Sequence, residues 1–141
     1  MAVQTVTHLN FRGDARAALA FYQSVFGGDL IVVSYKDAGA AQNPGEADWV
    51  MWGQVTAASG FRVMAFDVPS QRAWHPGEVP FFVSVRGDVA QDIRGYWEGL
   101  CAGGTVLQPL GPSNWAPLHG MVKDRFGITW IVDVDGAAAA S

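Results

Sequence analysis

The sequence predicts an α+β fold: two βαβββ modules, an internal repeat, forming paired curved mixed sheets around a pocket. Three observations predict it. Arg12-Gly13-Asp14-Ala15 returns as Arg86-Gly87-Asp88-Val89, and the same offset of 74 carries Leu9 onto Val83, Phe11 onto Val85, Leu19 onto Ile93 and Tyr22 onto Tyr96. Both helix-like segments stop at a double glycine, Gly27-Gly28 and Gly103-Gly104. Each half also opens with an alternating apolar strand and has three further strand-like runs after its helix.

The elements follow in order. Residues 6–11 alternate, with Leu9 and Phe11 on one face and His8 and Asn10 on the other. The Gly-Asp pairs come next, and Asp14 and Asp88 are expected to cap the first free N–H groups of their helices. One helix then buries Ala15, Ala18, Leu19, Tyr22, Val25 and Phe26. The other buries Val89, Ile93, Tyr96, Trp97, Leu100 and Cys101. Glycine after the last periodic residue suits a left-handed helix end. Strands are expected at 29–35, 49–56 and 61–68 in the first half, and at 81–85, 105–110, 119–123 and 128–134 in the second. The modules are expected at 1–68 and 80–135, joined by a linker at 69–79, with 136–141 a flexible tail.

Composition narrows the function. The chain has 141 residues, 50% of them hydrophobic and 12% aromatic, which excludes a disordered tail protein. Charged residues are only 16%, against roughly 25% in an average soluble domain. So little charge points to apolar surface held in a partner or lining a pocket. Nine Lys and Arg against thirteen Asp and Glu give a net charge of −4 with no basic stripe, so no nucleic-acid partner is expected. No apolar run spans a membrane and no leader pattern opens the chain, so a cytoplasmic setting is expected. The single cysteine, Cys101, makes no internal disulfide and reads as packing.

Leu9-Asn10-Phe11-Arg12-Gly13, then Phe21-Tyr22 through Val25-Phe26-Gly27-Gly28, and late in the chain Asp124-Arg125-Phe126-Gly127-Ile128-Thr129-Trp130 carry a likeness. With the repeat, they resemble the vicinal oxygen chelate superfamily of glyoxalase, bleomycin-resistance and extradiol dioxygenase proteins. The nearest branch is the PhnB-like one, often labelled 3-demethylubiquinone methyltransferase-like. The resemblance covers roughly residues 5–135. It implies paired modules, a funnel-shaped pocket and a homodimer, while leaving the reaction open. It also implies, in catalytic members, a divalent metal held by His, Gln or Glu from both halves.

The metal-ligand positions fall badly here. The first falls at or beside His8, with Thr7 the alternative one residue away; the repeat partner of His8 is Phe82, and the last-strand carboxylate position falls near Ile131, with Asp133 two residues away. The fourth strand offers Arg62, Met64 and Phe66 towards the pocket and Asp67 at its end. A catalytic metal wants about three protein ligands, so no metal is expected. No glycine-rich strand–turn–helix loop is present for a nucleotide-like cofactor, so no cofactor is expected either.

The candidate site residues are His8, Asn10, Trp52, Met64, Phe66, Phe82, Ser84 and Trp115. His8 is the candidate acid/base, or else a histidine satisfied by a neighbouring polar group. Six tryptophans are many for this length, and aromatic faces suit flat or cationic ligands. Trp97 and Trp130 read as packing; Trp115 lies in a Gly/Pro loop at the expected pocket mouth. His75 and His119 are expected at the surface, and Glu46 and Glu78 in solvated loops. The expected role is therefore a homodimer binding a small apolar, aromatic or cationic molecule without metal. The alternative is a metal-dependent glyoxalase-type lyase or isomerase, or a dioxygenase.

Overall fold

The structure, a computed structural model, describes residues 3–135. The expected tail at 136–141 lies outside them. The chain divides into two compact units at the Gly77–Glu78 bond.

The first unit runs β1 (Thr7–Phe11), α1 (Ala15–Phe26), β2 (Asp29–Ser34), a short 3-10 turn (Pro44–Glu46), β3 (Val50–Thr56) and β4 (Arg62–Asp67). Its sheet has the order β1-β4-β3-β2, with β1 parallel to β4 and the other pairs antiparallel. The second unit repeats this as β5 (Val83–Gly87), α2 (Ala90–Cys101), β6 (Thr105–Gly111), β7 (His119–Lys123) and β8 (Thr129–Val134), ordered β5-β8-β7-β6. Two mixed sheets, each with one helix, are thus the βαβββ layout that the repeat predicts. Strand ends move by a residue or two, chiefly at β5, which starts at Val83 and leaves Phe81 and Phe82 ahead of it.

Each helix packs on one sheet face. A Cβ on Gly53 would meet Leu19 of α1, and a Cβ on Gly120 would meet Trp97 of α2, so both glycines face their helices. Leu9, Phe11, Leu19, Tyr22, Val55, Val63 and Ala65 are buried in the first unit, and Ile93, Leu100, Val122, Trp130 and Val132 in the second. Alternation then turns the intervening side chains to the open face. Val89 does not join the core: it aligns with Ala15 in the repeat, but α2 begins one residue later, at Ala90, so Val89 is its N-cap and stays exposed.

The expected caps are not the ones used. Neither Asp14 nor Val89, the two N-cap residues, makes a side-chain cap, and Asp88 falls before the second one. At α1 the acceptor comes from β4. Asp67, 1% exposed, takes Gly13 N–H at 2.7 Å and Ala15 N–H at 3.0 Å on Oδ1, and Val50 N–H at 2.9 Å on Oδ2. One carboxylate so joins the β1–α1 turn to the start of β3. It faces the helix because it pairs with Phe11 across the parallel ladder.

Glu46 is also buried rather than solvated. Its Oε1 accepts Ser70 N–H at 3.0 Å and its Oε2 accepts Asn43 Nδ2–H at 2.9 Å. The Ser70 hydrogen bond first of all, with Arg12 and Asn43 aiding, lowers its pKa below the usual range. The segment after β4 is held too. Arg12 donates to the carbonyls of Val68, Pro69 and Arg72, its guanidinium lies 5.7 Å from the Trp74 ring, and Trp74 Nε1–H donates to Asn10 O at 3.2 Å.

Candidate functional site

The open face of the first sheet carries His8 and Asn10 from β1, Met64 and Phe66 from β4, and Trp52 and Gln54 from β3. The register sets His8 beside Met64, Asn10 beside Phe66 and Gln54 across from Met64. His8 Nδ1–H donates to Asn10 Oδ1 at 3.1 Å, and the His8 ring stands edge-on to Phe66 with centroids 5.0 Å apart. His8 and Asn10 are exposed, while Trp52, Met64 and Phe66 are half-buried. Five of the eight candidates therefore share one surface. In the neutral ring that donates from Nδ1, Nε2 of His8 is the acceptor.

The other three lie in the second unit. Ser84 is exposed on the open face, in register with Ile131. Phe82 precedes β5 and is 42% exposed. Trp115 is 60% exposed in the loop before β7, where Ser113 Oγ accepts from Trp115 N–H and Ala116 N–H.

His119 was missed. It is the first residue of β7, only 8% exposed, and its Nδ1 is buried without a hydrogen-bond partner. It lies across the ladder from Asp133, which in turn lies beside Arg86 and pairs with its Nε at 3.0 Å. Trp115 meets the His119 ring edge-on, with centroids 5.1 Å apart. The alternation of β7 carries this information, since His119 and Met121 share the face opposite Gly120. Its position at the strand's first residue, next to a Gly/Pro loop, hides it.

The residues do not fit the metal that the fold family suggests. His8 is flanked by Met64, Ser84 by Ile131, and Asp67 is turned to the helix with both oxygens engaged. Among the described residues no three of His, Cys, Asp and Glu gather closely enough to hold an ion. A nucleotide-like cofactor fits no better at the β1–α1 turn, where Asp67 already holds the N–H groups of Gly13 and Ala15. A shallow depression in the first unit, lined by Tyr35, Gln42, Asn43, Glu46, Pro69 and Gln71, contains none of the candidates.

The helix-backed mixed sheet, made twice, is the plan of the glyoxalase/bleomycin resistance/dioxygenase fold. A domain of that description from Frankia sp. EAN1pec matches at 13% identity and TM-score 0.65 over 96% of this chain and 93% of its own, a likeness of fold alone. The chain belongs to the family described as 3-demethylubiquinone-9 3-methyltransferase, whose model matches residues 3–133. Protein PA1353 from Pseudomonas aeruginosa is 30% identical, with TM-score 0.82 over 95% of this chain and 98% of that one. A putative 3-demethylubiquinone-9 3-methyltransferase, the PhnB protein from Bacillus cereus, is 23% identical, with TM-score 0.71 over 94% and 99%. Protein YjdN of Escherichia coli K12 is 25% identical over 90% of this chain and 92% of its own.

Proposed function

We propose that this PhnB-like protein works as a cytoplasmic homodimer that binds a small apolar, aromatic or cationic molecule, without a metal, against its aromatic open sheet faces. One observation carries the reading: His8, Asn10, Trp52, Met64 and Phe66 share a face that α1 does not cover. A sheet face with half-buried Trp, Met and Phe offers apolar contact, while Asn10 and His8 supply a few polar atoms for orientation. The aromatic faces suit a flat ring or a cation, and the net charge of −4 favours the cation. Bleomycin-resistance proteins of this fold act by sequestration, which needs no catalytic group. The ligand set for metal-assisted lyase or dioxygenase chemistry is missing from the described side chains.

The test is a tryptophan-fluorescence screen of apolar and cationic aromatic compounds on the wild-type chain and Trp52→Phe. Binding that perturbs emission, weakened by the substitution at unchanged stability, supports the reading. A panel that leaves the emission of both proteins unmoved ends it.

A further inference from the structure

We propose that Arg86, Asp133, His119 and Trp115 form a subsite for the hydroxyl end of an aromatic alcohol, a step that rests on the small-molecule reading above. All four belong to the second unit. Gly87 and Gly120 face α2, so their neighbours Arg86 and His119 face away from it, and Asp133 lies between them on β8. His119 brings a buried nitrogen with nothing to bond. Such a group is costly to leave unmet, and it calls for a partner that the chain itself does not supply.

The neighbours define what that partner is. Arg86 spends only Nε on Asp133, and its side chain is 52% exposed, so its two terminal nitrogens remain as donors. With the proton on Nε2, His119 Nδ1 is an acceptor, and a hydroxyl can donate to it and accept from Arg86 together, as a water does, while carrying a ring as well. A hydrocarbon satisfies neither. A carboxylate has no proton to give and meets the charge of Asp133. Trp115, edge-on to His119 with most of its surface open, then gives a flat ring its contact.

Benzyl alcohol and its near-isostere ethylbenzene separate the outcomes when titrated into the full chain by nuclear magnetic resonance. His119→Phe should weaken benzyl alcohol about tenfold, the effect of one hydrogen bond to a buried group, and leave ethylbenzene within about threefold. The Nδ1 resonance of His119 should move with benzyl alcohol only. His119→Gln, which keeps a polar group, guards against a folding defect and should restore part of the affinity. If both compounds bind while the variants and the Nδ1 signal are indifferent, the subsite is wrong and the binding reading stands. Tighter binding of benzoate than of benzyl alcohol also overturns the hydroxyl assignment. If none of the compounds shifts any signal, the subsite and the binding reading fall together.

Discussion

The indole N–H of Trp130 donates to Oδ2 of Asp124 at 2.8 Å, tying the fully buried ring near the start of β8 to the turn that precedes it. The other oxygen of Asp124 accepts Phe126 N–H at 2.8 Å and Ile128 N–H at 3.0 Å. The matching turn of the first unit has the same backbone bonds, Ala57 to Phe61 and Gly60 to Ala57, but an alanine where Asp124 stands. The second unit thus adds a side-chain anchor to a turn whose backbone closes without it. Asp124→Ala removes the acceptor of three hydrogen bonds and should cost about 3–4 kcal/mol in urea unfolding. Trp130→Phe keeps the turn and should cost about 1–3 kcal/mol through lost packing and one hydrogen bond. A loss in Asp124→Ala no larger than about 1 kcal/mol, the worth of the Trp130 hydrogen bond alone, would show that the turn bonds contribute nothing.

Asp67 plays the corresponding part in the first unit by another route, gathering Gly13, Ala15 and Val50 on one buried carboxylate. Asp67→Asn preserves shape but sets an amide N–H₂ against at least one backbone N–H. The expected loss is about 3 kcal/mol, with the fold retained by circular dichroism. Glu substituted at the same place should not rescue it, because the longer side chain has no room in the core. A variant within 1 kcal/mol of wild type, about the worth of one ordinary hydrogen bond, would remove Asp67 from this role.

The repeat, the helix stripes and the strand alternation were legible because each is a local period that backbone geometry imposes. Leu9, Phe11, Leu19 and Tyr22 sit where the period puts them. What escaped depends on partners far along the chain. Asp14 and Asp88 had the local pattern of caps, yet the cap of α1 comes from Asp67, more than fifty residues later, through strand pairing. Glu46 lies within a Gly/Pro loop that reads as solvated, and its bond to Ser70, twenty-four residues on, is not visible in that local pattern. His119 needed both its strand register and the position of Trp115 to be recognised. Of the candidate site, the face of His8, Asn10, Met64 and Phe66 was readable from alternation, whereas the Arg86–Asp133 pair was not.

Glu46 makes acid stability a direct readout of that hidden contact. The Ser70 hydrogen bond favours the carboxylate in the folded chain, so folding is supported above the unfolded pKa and the support is lost as pH falls through the lowered folded value. Asp37, lowered by its hydrogen bonds to Ser34, acts in the same direction. The urea midpoint of the wild type should therefore fall as pH drops from neutral through the carboxylate range. Glu46→Gln should start lower and fall less steeply. Parallel slopes for the two proteins would mean that Glu46 titrates alike folded and unfolded.

The two glycines that end α1 look equivalent in sequence and are not. A Cβ on Gly27 meets nothing within 4 Å, and its φ of 77° is the only obstacle to a side chain. A Cβ on Gly28 would sit 2.2 Å from the carbonyl oxygen of Thr56, a backbone atom fixed in the β2–β3 ladder, with φ at 93° besides. In the second unit Gly104 stands likewise, 2.5 Å from Lys123 O, so close approach at the second glycine is a feature of both modules. Gly27, at φ 77° and ψ −169°, lies in an extended region that is essentially restricted to glycine, so Gly27→Ala should cost about 1–3 kcal/mol in backbone strain alone. Gly28→Ala adds a clash that no side-chain rotation relieves and should cost more, above about 3 kcal/mol, because backbone must move. Thermal and urea unfolding of both variants decide this. Equal, small losses would show that the β2–β3 edge yields freely and that the double glycine reflects helix termination alone.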